Sequence, residues 1–393
     1  MAFPSPFAQP PHAPGAPVAS AVTPGSLRPP SSPRSGQSAP VWLFAVLVVL
    51  AFGVVTYVVS FLGVAAAAVG MLLALIPLVG VLFAVRLVDR WEPEPTSLVV
   101  AALLWGGVAA VAIALLVDLA VGPVLGVLAP ESADAVSSVV QAPIVEEIAK
   151  GLGVLVIFFF GRRAFDGPVD GVVYGALVGA GFAFTENILY FATSLIAGGV
   201  GEVTFTFLLR GVLSPFAHVM FTAVTGFAVG IAARSGRPVG GRWLLGLGGA
   251  IALHALWNGS AVFADFFALY VTLQVPLFLG FVLGVVLLRR EEARLTRARL
   301  GEYAVAGWFT AAEIDMVATP RGRRAAVAWA RSFAGDRSRQ MKEFIFAATS
   351  LASARQRSIT GRDRRSAELE HIMLGRAVAA RSALLSAQPS RTG

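Results

Sequence analysis

The feature that most constrains this chain is a series of eight apolar stretches, near residues 41–62, 64–86, 97–128, 136–160, 169–197, 205–232, 243–263 and 266–288. Each is close to the ~20 residues an α-helix needs to cross ~30 Å of hydrocarbon. With 56% hydrophobic and only 14% charged residues, the chain is too apolar for an ordinary soluble protein, so the bilayer must act as much of its solvent. The expected fold is all-α: a polytopic helical membrane protein with about eight transmembrane helices and a small cytosolic helical tail. The least distinct boundary lies around Gly63, where a tight turn is all that separates two stretches.

Three regions follow. Residues 1–40 contain eleven prolines among Ser, Ala and Gly, a composition that cannot bury enough apolar surface to offset folding entropy, and they are expected to form a disordered leader. The apolar run begins only at Val41, without the basic region that precedes the core of a cleavable signal, so the first span is expected to be retained. Residues 41–288 form the membrane domain. Residues 289–393 carry 20 Lys/Arg against 10 Asp/Glu and account for the net charge of +8. Positive charge beside a membrane domain records its side of the membrane more often than nucleic-acid binding, so no nucleic acid is expected. The tail is expected to be helical, broken by Pro320, Gly322, Gly335 and Gly361, and to serve as a solvated anchor.

Arginines sort into alternate loops: Arg86 and Arg90, Arg162 and Arg163, Arg234, Arg237 and Arg242, then Arg289 and Arg290. The intervening loops are nearly free of cations, with Arg210 the exception. The bias places both termini in the cytoplasm of a bacterial-type plasma membrane, which an even number of spans requires.

Ionisable side chains in membrane spans cost ~2.5–3.5 kcal/mol each, so each needs a local reason. Four successive spans carry them. In Pro143-Ile-Val-Glu146-Glu147-Ile-Ala-Lys150, Glu146 and Lys150 are stacked four residues apart and read as an ion pair, which leaves Glu147 without a local partner. The next span has Gly171, Gly175 and Gly179 at every fourth position, a smooth face for close helix packing. Asp170 reads as its N-cap, and Glu186 with Asn187 lies about four turns deeper. The sixth span has Pro215 one turn before His218, and the seventh has His254 and Asn258 on one face. Asp118 and Asp265 lie apart and read as structural. A lone histidine in a span is usually a hydrogen-bonded packing residue. Two of them opposite glutamates can hold Zn²⁺ and leave room for water, with a free glutamate to take the proton. The chain has no cysteine, so any metal must rest on His and carboxylate ligands.

At these residues the sequence resembles the PrsW family of intramembrane proteases, relatives of CAAX-prenyl endopeptidases and bacteriocin-processing enzymes. The resemblance is carried by Trp91-Glu92-Pro93-Glu94-Pro95, Glu146-Glu147-x-x-Lys150, Asp170-Gly171 with Tyr174-Gly175, Phe182-x-x-x-Glu186-Asn187, His218 with Thr222, and His254-x-x-Trp257-Asn258. Together these motifs cover about residues 86–260. The resemblance implies a membrane-embedded peptidase acting on membrane-anchored proteins, an anti-sigma factor cut at its first site being one such substrate. The roles expected are His218 and His254 as metal ligands, Glu147 or Glu146 as general base, and Glu186 as third ligand or substrate-orienting acid. Asn258 is expected to stabilise the oxyanion or to orient His254. A metal-free mechanism, in which the glutamates activate water directly, uses the same residues. Intramembrane acids and histidines also suit a proton-coupled transporter, which commonly shows two related halves, and no such symmetry is present here. A non-catalytic scaffold is the third reading, and it fits a degraded motif, of which there is none.

Overall fold

A computed structural model describes residues 38–90, 93–263, 265–333, 335–361 and 366–386. Most of the proline-rich leader and the Trp91-Glu92 pair lie outside the described residues. The described chain is helical throughout, without strands, and it divides into two units, one of residues 34–286 and one from Leu287 onward.

The first unit is a helical membrane protein. Its helices are α1 (Val41–Val88), α2 (Thr96–Leu128), α3 (Ala142–Phe160), α4 (Pro168–Phe207), α5 (Ala217–Ser235), α6 (Val239–Phe263) and the start of α7 (Val275–Val305). Five helical stretches among the described residues are long and apolar enough to cross a membrane, fewer than the eight expected from the sequence. The difference arises because Val41–Val88 and Pro168–Ser235 each run over two of the expected stretches, and α3 carries three charged residues in its 19. Inside α1 the helix is interrupted at Gly63, where φ is 75°, a conformation that glycine adopts without strain. Inside α4 the interruption falls at Gly198 and Gly199.

Side chains are distributed inside out relative to a water-soluble protein. Val49, Phe52, Phe61, Leu72 and Ile76 of α1 and Leu244 and Leu245 of α6 point outward, whereas Glu147, Lys150, Thr222 and His254 are buried. Lipid tolerates the first group, and only protein partners make the second affordable.

α4 is the central element, and glycine places its neighbours. A Cβ on Gly171 would fall on the backbone of Gly226, and one on Gly175 or Gly179 on that of Thr222 or His218. The small-residue face expected from the sequence is therefore the seam against α5, and it sets the position of His218. On its other side, Gly181 abuts the backbone of Leu103 and Gly107 in α2. There α2 widens into a π-helical turn, Trp105–Ala110. The Thr185 hydroxyl donates to the Gly107 carbonyl across this turn at 2.7 Å, satisfying a group in the irregular turn. Asp170 is not the N-cap of α4. It sits one turn in and accepts hydrogen bonds from the backbone N–H groups of Gly167 (2.8 Å) and Asp166 (2.9 Å), the acidic half of a capping arrangement.

The second unit packs the end of α7 with α8 (Ala311–Ala318), α9 (Pro320–Arg331), α10 (Ser338–Ile359) and α11 (Ser366–Leu385). Its core includes Leu300, Tyr303, Phe344, Leu351 and Leu374. Thr310 caps α8 with Glu313 and Thr319 caps α9. Gly335 and Gly361 take positive φ at the breaks their positions suggested.

Candidate active site

α3 supplies the first part of the site. In helical projection Lys150 lies between its two acidic neighbours, about 40° from Glu146 and about 60° from Glu147, and its long side chain reaches both. Its ammonium is 3.2 Å from Glu146 and 2.6 Å from Glu147. The expectation that Glu147 lacks a local partner is therefore corrected. Glu147 is wholly enclosed: Thr222 donates to its Oε2 at 3.1 Å, and His254 Nδ1 lies 3.0 Å from its Oε1. Lys150 also sits 4.0 Å from the centroid of the Phe182 ring. The indole N–H groups of Trp105 and Trp243 bond the carbonyls of Ala149 (3.0 Å) and Gly151 (2.9 Å), which fixes the rotation of this helix.

α5 begins after a break. A π-helical turn at Leu208–Leu213 follows α4, and the Ser214 hydroxyl bonds the Leu209 carbonyl at 2.6 Å. The chain then leaves helical geometry at Ser214, so His218 stands in the first turn of a new helix. Its Nε2 is 2.7 Å from Glu186 and its Nδ1 is 3.1 Å from Lys150. Glu186 is also ion-paired with Arg210, whose Nε donates to Asn187 at 3.0 Å and whose guanidinium lies 3.9 Å from the centroid of the Tyr190 ring.

α6 brings His254 to the same place. Its ring stacks on Phe221 at 4.9 Å and meets that of His218 edge-on at 5.0 Å. A carboxylate only accepts hydrogen bonds, so the contact with Glu147 places the proton of neutral His254 on Nδ1. The lone pair of Nε2 is then left on the side of Glu146, 3.9 Å away. Glu146, His218 and His254 each offer a ligand atom within 4.8 Å of the other two, forming a possible metal-binding group.

The structure thus brings Glu146, Glu147, Glu186, His218 and His254 into one network. The carboxylate grouped with the two histidines is that of Glu146, while Glu186 is held by Arg210 and His218. Asn258 lines the same cavity, but its amide donates to the Ser138 carbonyl at 2.8 Å and not to His254. Asp118 accepts from Gln141 at 3.4 Å, and Asp265 caps a short helix at Phe266–Leu269. Sequence reasoning missed Arg210 as a member of the site. Its signal was a lone cation in a long uncharged run, which an intramembrane glutamate requires as counter-ion.

One side of this network borders a cavity of about 500 Å³, which Glu146 and Glu147 do not line. Glu186, Arg210, His218, His254 and Asn258 give it a polar side, and Phe205, Leu209, Trp257 and Phe266 an apolar one. Its polar side presents one carboxylate, that of Glu186, and the two imidazoles.

Comparison with known proteins places the same residues in context. Residues 94–281 match the family model described as "PrsW family intramembrane metalloprotease". Proteins named "Protease PrsW" are similar. That of Geobacillus kaustophilus (strain HTA426) is 35% identical over 142 residues, 36% of this chain and 57% of the relative. That of Clostridioides difficile (strain 630) is 33% identical over 160 residues, 40% of this chain and 63% of the relative. That of Bacillus subtilis (strain 168) is 36% identical over 91 residues, 23% of this chain and 38% of the relative. The chain spans between about two fifths and two thirds of the length of these curated relatives. No solved structure matches it.

Proposed function

We propose that this chain, whose residues 94–281 carry the PrsW-family match, is an intramembrane endopeptidase that hydrolyses peptide bonds of membrane-anchored proteins. One observation carries the reading: Glu146, His218 and His254, from three different helices, converge to within 4.8 Å beside a cavity inside the membrane unit. An arrangement that buries two histidines and two carboxylates, with Glu186 half-buried beside them, at the expense of stability calls for a chemical purpose.

The donor types suit Zn²⁺, and Glu146, His218 and His254 are the residues that would hold it; His218, engaged at Nε2 by Glu186 and at Nδ1 by Lys150, would give up one of these contacts to offer a lone pair. When bound, such an ion supplies Lewis acidity to a peptide carbonyl and lowers the pKa of a water. Glu147 accepts from His254 Nδ1 and so keeps Nε2 available, the role of an outer carboxylate behind a ligand histidine. Glu186 stands at the cavity edge, oriented by Arg210, and takes the proton of the attacking water. This assignment differs from the roles expected from the motifs, with Glu146 in the ligand set and Glu186 as base. The apolar wall shields the site from bulk water and receives the substrate's side chains.

The substrate class is a single-span protein, and first-site cleavage of an anti-sigma factor is the regulatory setting that fits a peptidase of this family. Both termini lie in the cytoplasm, as the arginine bias of the loops indicates. A cleavage assay with purified full-length protein and a single-span substrate tests the reading. Wild type cuts, and Glu146→Ala and His254→Ala do not. Undiminished cleavage in both variants would sink the assignment, and activity in a metal-free, chelator-treated preparation would remove zinc from it.

A further inference from the structure

Beside the large cavity lies a second, of about 160 Å³, lined by Val212, Leu213, Phe216, Met220, Val275 and Phe278, among others. The two cavities have Ser214, Pro215, Ala217 and Trp257 in common as lining residues. Ala217 immediately precedes His218, and Trp257 is one helical turn from His254. The junction between the cavities is therefore within a residue or a turn of both histidines. Resting on the peptidase reading above, we propose that the smaller cavity is a specificity pocket. It takes one apolar side chain of leucine to phenylalanine size from the substrate residue next to the scissile bond.

The walls suit that occupant. They are mainly apolar, with Ser214, Tyr270 and Gln274 the polar members and no charged group among them, so a charged side chain would lose its hydration there without an ion pair to recover it. They are also held in place: Phe216 stacks on Phe278 at 5.3 Å, and the Tyr270 hydroxyl donates to the Leu213 carbonyl at 2.8 Å. The Gln274 amide is tied to the Ser260 hydroxyl. The volume has room for one side chain and none for a second peptide strand. A side chain that enters from the junction leaves its own backbone in the large cavity beside His218, where the bond to be cut must lie.

Pocket discrimination of this kind changes rates by ~10–200-fold per methylene gained or lost. A single-span substrate with a mapped cleavage site, carrying Ala, Leu, Phe or Arg in turn at the flanking positions, is incubated with the full-length protein. At one position Leu and Phe should be cut at least about tenfold faster than Ala, with Arg slowest. Val275→Trp, which fills the pocket, should bring the Leu-to-Ala ratio below one. Met220→Ala, which enlarges it, should raise the ratio of Phe to Leu. Opposite shifts in the two variants cannot come from a general loss of folding, and unchanged ratios in both would overturn the pocket.

A photo-leucine at the flanking position gives a readout without turnover. Cross-links mapping to Met220, Val275 or Phe278 support the pocket even if no cleavage occurs, in which case the peptidase reading fails alone. Cleavage with cross-links confined to other residues defeats the pocket and leaves the peptidase. Efficient labelling of the same three residues by a photoreactive acyl lipid, undiminished by substrate, would assign the cavity to lipid and overturn the proposal.

Discussion

Arg210 and Glu186 form an ion pair between the π-helical turn that follows α4 and the middle of α4 itself, and the same guanidinium bonds Asn187 and covers Tyr190. Removing one partner of a largely buried pair costs ~3–5 kcal/mol, because the other charge is left uncompensated. Arg210→Gln is therefore expected to reduce kcat for substrate cleavage by at least about 100-fold. Arg210→Lys should recover part of this, since an ammonium neutralises Glu186 but cannot also present the planar edge that holds Asn187. Steady-state kinetics of both variants give the comparison. Wild-type kcat in Arg210→Gln would show that the pair only packs the helix break.

The three glutamates are expected to separate by metal content. Wild type is expected to copurify with a metal, and Glu146→Gln to lose it. Glu147→Gln should retain it with affinity weakened by ~10–100-fold, the usual effect of disturbing a residue that orients a ligand histidine. Glu186→Gln should bind metal and fail to cleave. Elemental analysis after titration with a competing chelator measures all three. If Glu186→Gln loses the metal and Glu146→Gln keeps it, their roles are exchanged and the assignment expected from the motifs alone is restored.

Topology follows from charge. A reporter enzyme fused after Arg290 is expected to be active only in its cytoplasmic form, because Arg86, Arg90, Arg162, Arg163, Arg234, Arg237 and Arg242 fall in one alternate set of loops, and such a bias favours the cytoplasmic side. A periplasmic or extracellular signal from this fusion would contradict the inferred even number of spans.

The membrane character, the helical tail and the small-residue face of α4 were legible in the sequence because each depends on local composition or on a four-residue period. The partners of Glu147 were not. Its contact with Lys150 lies within one turn, but choosing between spacings of three and four needs side-chain conformations, and its contacts with Thr222 and His254 span 75 and 107 residues. The grouping of Glu146 with the histidines was hidden for the same reason: its pairing with Lys150 gave it a complete local explanation. Asp170 was misplaced by one turn because Gly167 and Pro168, with no side-chain acceptor, mark a helix start weakly. Arg210 stood out as a charge, but only the interruption at Gly198 and Gly199, midway between the two residues, turns it back toward Glu186.

The glycine seam makes a further prediction that links packing to chemistry. A methyl group on Gly179 would collide with the His218 carbonyl and come within 3.0 Å of the Val219 Cα, and neither backbone atom can move without shifting the first turn of α5. Overpacking of this kind costs ~1–3 kcal/mol in a core that can adjust, and here the adjustment displaces a residue of the site. Gly179→Ala is expected to lower the melting temperature in detergent and to reduce cleavage by more than its loss of folded protein explains. Gly248→Ala is the control: it lies within α6 with no neighbouring atom near the added methyl, so it should leave activity intact and match or raise stability, as alanine favours helices over glycine by ~1 kcal/mol. Equal behaviour of the two variants would mean that α4 and α5 do not meet at Gly179, and the position of His218 would need another cause.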